Sequence, residues 1–323
     1  MRAAALLSGG LDSVLAARLV MDQGIEVVGI SFESPFFGSR GAREAAAELG
    51  IDIVVEDLGE ELLRIATSPK HGYGKHVNPC IDCHALMIRR AAERLPELGA
   101  SFIVTGEVVG QRPKSQMRFG LEAVERESGV GGLLLRPLSA KLLSPTIPEE
   151  NGWIDRSRLL ALHGRTRKPQ MELARRFGIT RYASPAGGCL LTDENYARGF
   201  RDLAAHGELS IPAVKLLSVG RQFRLPRGAK LAVGRNHAEN EALAGLEPPG
   251  ARLVWVVDRK GPLGVLDGDA VHEDVLTAAG IVARYADTPR GEPVRVLAHD
   301  QSGSEQVVEV IPLDDAKVKE LAV

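Results

Sequence analysis

The chain opens on a short apolar run, Ala3 to Leu7, that ends at the polar, glycine-containing stretch SGGLDS (8–13). A run this short, closed by glycines, predicts a buried strand. VLAARLVMDQG (14–24) then carries helical spacing and predicts an amphipathic helix with Gly24 as its C-cap. The pattern continues with EVVGISF (26–32) as a strand, GAREAAAELG (41–50) as a helix closed by Gly50, and IDIVVEDL (51–58) as a strand. Residues 81–98 are helical in pattern, and SFIVTGE (101–107) reads as a strand ending in a glycine turn. Strands alternating with helices predict an α/β fold built on a doubly wound parallel sheet. Ligands of such sheets bind beyond the carboxyl ends of the strands, which is where SGGLDS, Ser31-Phe32 and Thr105-Gly106-Glu107 fall.

After Arg201 the alternation fades. Residues 215–246 predict strands around Gly220 and over 229–233, then a Gly234-Arg235-Asn236 turn into a helix. RLVWVVD (252–258), GPLGVLDG (261–268), EPVRVLAH (292–299) and EQVVEVIPL (305–313) are β-like, separated by Gly, Pro and Asp turns. With 323 residues there is room for two domains and a small third. The expected division is a nucleotide-binding domain over 1–165, a basic segment over 166–204 carrying Cys189, and a smaller α+β domain over 205–323.

Charge changes the picture. The net charge is −2, yet residues 156–181 carry +7 and residues 198–235 carry +6, leaving −15 for the remainder. An acidic body with a basic middle suits a polyanion such as RNA; solvated helix faces are the plainer reading. No apolar run approaches the roughly 18 residues of a membrane span. Gly9, Gly10 and Asp12 interrupt the N-terminal apolar run too early for a signal peptide. The expectation is a cytoplasmic protein with no membrane partner, in which the three cysteines are catalytic or metal-binding, or simply buried, rather than disulfide-bonded.

SGGLDS has a physical logic. Two glycines let backbone approach a phosphate, and hydroxyls together with free N–H groups at a helix start bind the anion. Asp12 in this place points to a bridging Mg²⁺ or to a backbone donor. The stretch is neither a Walker A loop nor a dinucleotide fingerprint. Ser8-Gly-Gly-Leu-Asp-Ser13 resembles the PP-loop of the N-type ATP pyrophosphatases, which cleave ATP to AMP and pyrophosphate. VTGEVVGQRPKSQ (104–116) and LLLRPLSAK (133–141) are similar to segments of the tRNA sulfurtransferase (4-thiouridine synthetase) branch. The likeness covers roughly residues 1–195. It implies that Ser8, Gly9, Gly10, Asp12 and Ser13 hold ATP phosphates, that Ser31 and Phe32 line the adenine pocket, and that Gly106 and Gln111 lie near the α-phosphate and target base. It departs from that branch in lacking, within these residues, the N-terminal RNA-binding region and a rhodanese-like module. RNA binding and sulfur delivery are therefore expected to be arranged differently.

NPCIDCHAL (78–86) holds Cys80, Cys83 and His84. Alone, the string reads as a haem c site, half a zinc site, a redox pair or part of an iron–sulfur site. A helix start at Cys80 is expected to lower the thiol pKa values. The tRNA 2-thiouridylases of the PP-loop class have a comparable layout, an early Asp-x-x-Cys and a later Gly-x-Cys used for sulfur transfer. Here Cys80 replaces the Asp, and Cys189 in SPAGGCLLT (184–192) is the distant partner. Three cysteines resemble the cluster-dependent PP-loop tRNA thiolases, which implies Cys80, Cys83 and Cys189 as ligands of a [4Fe–4S] cluster. A Cys₃His zinc site with His84, and a Cys83/Cys189 persulfide pair with no metal, stay open. His84 is otherwise a packed or capping residue.

Gly234-Arg235-Asn236-His237…Asn240 resembles the central motif of the NFACT-R RNA-binding module. Under that resemblance Arg221, Arg224, Arg227, Lys230 and Arg235 are phosphate contacts, with Arg165, Arg167 and Lys168 adding to them from the basic middle. Phe223 and Trp255 are the expected stacking surfaces. The combined expectation is an enzyme, an ATP-dependent tRNA sulfurtransferase. ATP and Mg²⁺ serve adenylation of a base carbonyl, most simply that of uridine. Asp12, Cys83 and Cys189 act in the chemistry, and a cysteine desulfurase or sulfide supplies sulfur. The alternatives are a PP-loop amidotransferase or ligase on a small molecule, and a non-catalytic RNA-binding factor. Oligomeric state is not legible.

Overall fold

In the computed structural model, which describes residues 1–182, 188–257, 259–288 and 291–323, the opening apolar run is the central strand of a parallel sheet. The first elements are β1 (Arg2–Leu6), α1 (Leu11–Met21), β2 (Glu26–Glu33), α2 (Arg40–Leu49), β3 (Ile53–Asp57) and α3 (Gly59–Thr67). They are followed by α4 (Cys80–Leu98), β4 (Phe102–Val104), α5 (Arg118–Ser128), β5 (Leu134–Leu135), α6 (Ile147–Glu150) and α7 (Lys168–Arg176). The strand order is β3-β2-β1-β4-β5 with every pair parallel. The doubly wound sheet read from the alternation is therefore the observed one. Ala3, Ala4 and Ala5 of β1 are fully buried because helices cover both sheet faces. Leu11, Val14 and Leu15 of α1 pack with Ala42, Ala45 and Ala46 of α2 and with Phe102, Val104 and Leu135 in one core.

Local caps follow glycine. Gly50 closes α2 in the left-handed conformation at φ 68°. Helix α1 stops earlier than its pattern suggests: Asp22 is its C-cap, and Gly24 at φ 82° turns the chain beyond it.

The order of the strands reverses at β1. From there the chain moves outward through β2 and β3, then returns to β1's other side with β4. This is the topological switch point of an open α/β sheet, and the crevice there opens at the carboxyl ends of β1 and β4.

The described residues form two compact units, Met1–Thr192 and Asp193–Val323; the break falls inside the 166–204 segment. The second unit holds α8 (Glu194–Ala205), α9 (Ile211–Leu216), β6 (Arg221–Arg224), β7 (Lys230–Val233), α10 (His237–Gly245) and β8 (Arg252–Val256). It continues with β9 (Gly264–Asp267), α11 (His272–Arg284), β10 (Val294–Asp300), β11 (Glu305–Val310) and α12 (Asp315–Leu321). Its sheet is antiparallel, in the order β11-β10-β8-β9-β7-β6. Val275, Ala278, Ala279 and Val282 of α11 share a core with Leu231, Val254 and Val296 of the sheet. The α+β expectation for this part is met. Asp258, expected at the end of a strand, lies outside the described residues, as do 184–187 of the loop before Cys189. Among the described residues no helix is long and apolar enough to cross a membrane.

Candidate functional site

The SGGLDS loop joins β1 to α1 at the switch point. Gly9 has φ 77°, and a Cβ there would stand 2.4 Å from the carbonyl carbon of Gly41, so only glycine lets the loop lie against the start of α2. Ser13 Oγ donates to the Gly10 carbonyl at 2.8 Å and accepts the Ser8 N–H at 3.3 Å. Gly10 caps α1 with no side-chain hydrogen bond, so first-turn N–H groups face the crevice without a capping oxygen, as an anion site requires.

Gly106 makes the same kind of contact from β4. A Cβ there would lie 2.4 Å from the Ser13 nitrogen. Gln111 of the following loop closes the site. Gln111 Nε2 donates to Asp12 Oδ2 at 2.9 Å, a side-chain partner rather than a backbone donor. Asp12 Oδ1 and Gln111 Oε1 are both buried with no hydrogen-bond partner. Two unpaired oxygen acceptors beside an anion loop are the hard-donor chemistry that suits Mg²⁺. Ser31 and Phe32 sit at the carboxyl end of β2, each 4% exposed.

The same loop meets the basic middle of the chain. His163 bridges Val109, and the Gly164 N–H donates to the Val109 carbonyl at 2.8 Å. Arg165 and Lys168 are exposed just beyond, with Arg167 half-buried between them.

Cys80 is the first residue of α4, behind Pro79. Asn78 Nδ2 donates to Cys80 Sγ at 3.2 Å. The loop before it wraps so tightly that a Cβ at Gly74 would collide with the Asn78 amide. Cys189 lies in the same unit, and all three thiols are half-buried. Burial pushes the Cys83 thiol well above its ordinary pKa, and neighbouring Cys189 and Cys80 push it further. Cys189 is raised to about 11, burial again outweighing two backbone N–H donors and Arg112. Burial corrects one expectation: the helix start does not activate Cys83, because desolvation of a thiolate outweighs the helix field. Among the described residues no three His, Cys, Asp or Glu side chains are grouped to hold a metal ion; this applies to the expected cluster ligands Cys80, Cys83 and Cys189 as much as to the same set with His84.

His84 is instead tied to the loop after β4. Its Nδ1 lies 3.0 Å from Glu107 Oε1. Glu107 Oε2 accepts from Arg136 Nε at 2.9 Å and from the Thr105 hydroxyl at 3.2 Å. Arg136 also reaches Glu125 Oε2 at 3.2 Å and the Leu121 carbonyl. Burial alone would raise the Glu107 pKa, but Arg136 and then His84 outweigh it and hold the carboxyl at about 2. The segments Thr105-Gly106-Glu107 and Arg136-Pro137-Leu138 were visible in the sequence as separate strings; their charges form one buried pair.

In the second unit, several basic residues are committed internally. Arg224 pairs with Asp202 at 2.6 Å and with Glu208 at 2.7 Å. Lys230 is 5% exposed, 3.5 Å from Asp202, and burial lowers its pKa against the pull of that carboxylate. These two are positioned for holding the unit together rather than for phosphate. Arg227 pairs with Glu273 and Arg235 with Glu239 on the surface. Phe223 is 1% exposed and offers no stacking surface. The aromatic that sequence reasoning missed is Tyr285, with the Arg221 guanidinium 4.3 Å over its ring. Trp255 packs edge-on against His299.

Residues 1–141 match the family described as thiamine biosynthesis protein (ThiI), and residues 220–322 match the NFACT protein RNA binding domain. Both resemblances read from the motifs are thus borne out. A tRNA-specific 2-thiouridylase MnmA of Dehalococcoides mccartyi is 32% identical over 115 residues, 31% of this chain and 32% of that protein. The protein of the same name from Geobacter metallireducens is 27% identical over 233 residues, 63% of this chain and 58% of its own. The chain thus spans about a third of the length of the first of these relatives and under two thirds of the second. Among solved structures, a 4-thiouridine synthetase–RNA complex with bound ATP aligns with 67% of this chain and 52% of its own at 19% identity and TM-score 0.37. A predicted subunit of tRNA methyltransferase from Methanocaldococcus jannaschii aligns with 64% of this chain and 89% of its own, at 19% identity and TM-score 0.39.

Proposed function

We propose that the protein is an ATP-dependent tRNA sulfurtransferase that adenylates a base carbonyl, in the simplest case of uridine, and exchanges its oxygen for sulfur. The observation that carries this reading is the joining of two sites in one unit. An anion loop with a half-satisfied carboxylate, Asp12 bound on one side only by Gln111, sits in the same unit as the three cysteines, Cys80, Cys83 and Cys189. A ligase acting on a small molecule needs the first and has no use for the second. The matches to thiouridylases and to an RNA-binding domain support the same conclusion.

In this account the α1 N-terminus and the Ser8 and Ser13 hydroxyls hold the phosphates of ATP. Asp12 Oδ1 and Gln111 Oε1 would hold Mg²⁺, which offsets phosphate charge as pyrophosphate departs. The base oxygen attacks the α-phosphate, and adenylation converts it to a good leaving group. Sulfur then displaces AMP. Cys80, Cys83 and Cys189 have the thiolate chemistry that an iron–sulfur cluster takes, but they are not grouped as a metal site in this structure, so a persulfide on Cys83 or Cys189 is the other carrier open to the sulfur. Asn78 fixes Cys80, and the Glu107–His84 contact holds α4 against the ATP side of the sheet. Arg165 and Lys168, exposed beside the Val109 turn, meet the RNA backbone.

The test is purification without oxygen, iron and sulfide analysis, and nucleoside mass spectrometry of tRNA incubated with protein, ATP and a sulfur donor. Thiolated nucleoside from an iron-containing protein supports the full reading. Thiolation by an iron-free protein moves sulfur to a cysteine persulfide, supplied by a desulfurase. Absence of thiolated nucleoside with either preparation contradicts the proposal.

A further inference from the structure

In the second unit a cleft of about 360 Å³ opens between the first residue of β6, the turn before α10 and the end of α11. That volume is at the small end of ligand sites, room for one nucleotide rather than a length of chain. One wall is a flat composite surface, the Arg221 guanidinium stacked 4.3 Å over the Tyr285 ring. The turn before α10, whose Gly234 carbonyl accepts from Arg221 Nη1 at 3.3 Å, adds a row of donors beside it. Asn236 Oδ1 accepts the Glu239 N–H at 3.0 Å, and Asn240 Oδ1 accepts the Leu263 N–H at 3.0 Å. With both amide oxygens committed, the two NH₂ groups are what the cleft is offered. Arg235 is oriented by Glu239 at 2.6 Å, and His237 stands exposed beside it. The arrangement depends on Gly234, where a Cβ would lie 2.1 Å from Asn240 Oδ1.

A planar surface beside a row of donors asks for a ligand that is both flat and rich in acceptor oxygens. Inorganic phosphate would leave the planar wall unused. A duplex keeps its bases stacked inside and cannot place one in a cleft this small, whereas bases of unpaired RNA stack on aromatic rings and guanidinium planes. We propose that the cleft takes a single unpaired ribonucleotide of an RNA strand. The base lies on the Arg221–Tyr285 surface, and its oxygens are met by Asn236, Asn240 and Arg235. This rests on the RNA reading above and goes beyond it in naming the site and the single-stranded form.

The test is fluorescence anisotropy of the full chain with a labelled single-stranded oligoribonucleotide and with the same sequence annealed as a duplex. Tighter single-strand binding is expected, weakened about tenfold by Arg221→Lys and by Asn240→Ala with duplex binding unchanged. Arg221→Lys keeps the charge and loses the plane, so parent-like affinity in that variant overturns the stacking claim. AMP or inorganic phosphate displacing the oligonucleotide at equal concentration assigns the cleft to a free ligand and overturns it too. RNA binding that neither variant weakens removes the cleft while leaving the RNA reading intact. No RNA binding by the parent chain contradicts both.

Discussion

Arg136 Nε donates to Glu107 Oε2 at 2.9 Å in a place where neither residue is more than 5% exposed. The pair joins the strand end beside the ATP loop to α5 through Glu125, and to α4 through His84. Removing one charge leaves the other buried and uncompensated, which costs about 3–5 kcal/mol in comparable sites. Glu107→Gln is therefore expected to lower the unfolding free energy of the first unit by that amount, read from the midpoint and slope of urea unfolding.

The same carboxyl predicts acid sensitivity. Its folded pKa of about 2 lies below the ordinary 4.5, so the native state binds its proton less readily than the unfolded chain. The contribution is full above pH 4.5 and is lost as pH falls through that value toward 2, on the order of 3 kcal/mol in total. Unfolding of the parent measured from pH 6 to 3 is expected to steepen below about pH 4.5, and Glu107→Gln to flatten that slope.

Gly106→Ala places a Cβ 2.4 Å from the Ser13 nitrogen, and the nearest atoms it meets are all backbone of Asp12 and Ser13, with no flexible side-chain end to give way. The loop must shift, at a cost of about 1–3 kcal/mol. ATP affinity measured by calorimetry is expected to fall about tenfold or more. Unchanged affinity means that the β4 turn does not shape the nucleotide site.

Arg224→Ala and the double change Arg165→Gln with Lys168→Gln are expected to part company. Arg224 is held by Asp202 and Glu208, so its loss lowers the melting temperature of the second unit with little effect on RNA affinity. The exposed pair should leave stability unchanged, weaken RNA binding at every sequence and reduce the salt slope by about one per residue.

The parallel sheet was legible because its signals are local: an apolar run, a glycine turn, an amphipathic helix. Helices α3, α5 and α11 were not, since Glu60, Glu61, Arg118 and Glu122 obscure their apolar stripe and α11 sits among β-like stretches. The PP-loop residues could be read for the same local reason. What could not be read was pairing at a distance. Lys230 and Arg224 look like surface cations until Asp202 and Glu208 are folded beneath them. Phe223 looks like a stacking ring until it is buried, and Tyr285 is invisible as its replacement because 64 residues separate it from Arg221. The thiol pKa expectation failed similarly: a helix start is written in the sequence, but desolvation by the surrounding unit is not.

The most direct measurement of the central claim is pyrophosphate release from ATP, with and without tRNA, by the parent, Asp12→Asn and Cys189→Ser. The account predicts release that requires tRNA, falls about 100-fold in Asp12→Asn, and persists in Cys189→Ser while thiolated nucleoside disappears. Pyrophosphate release that ignores tRNA, or thiolation that survives the loss of Cys189, contradicts it.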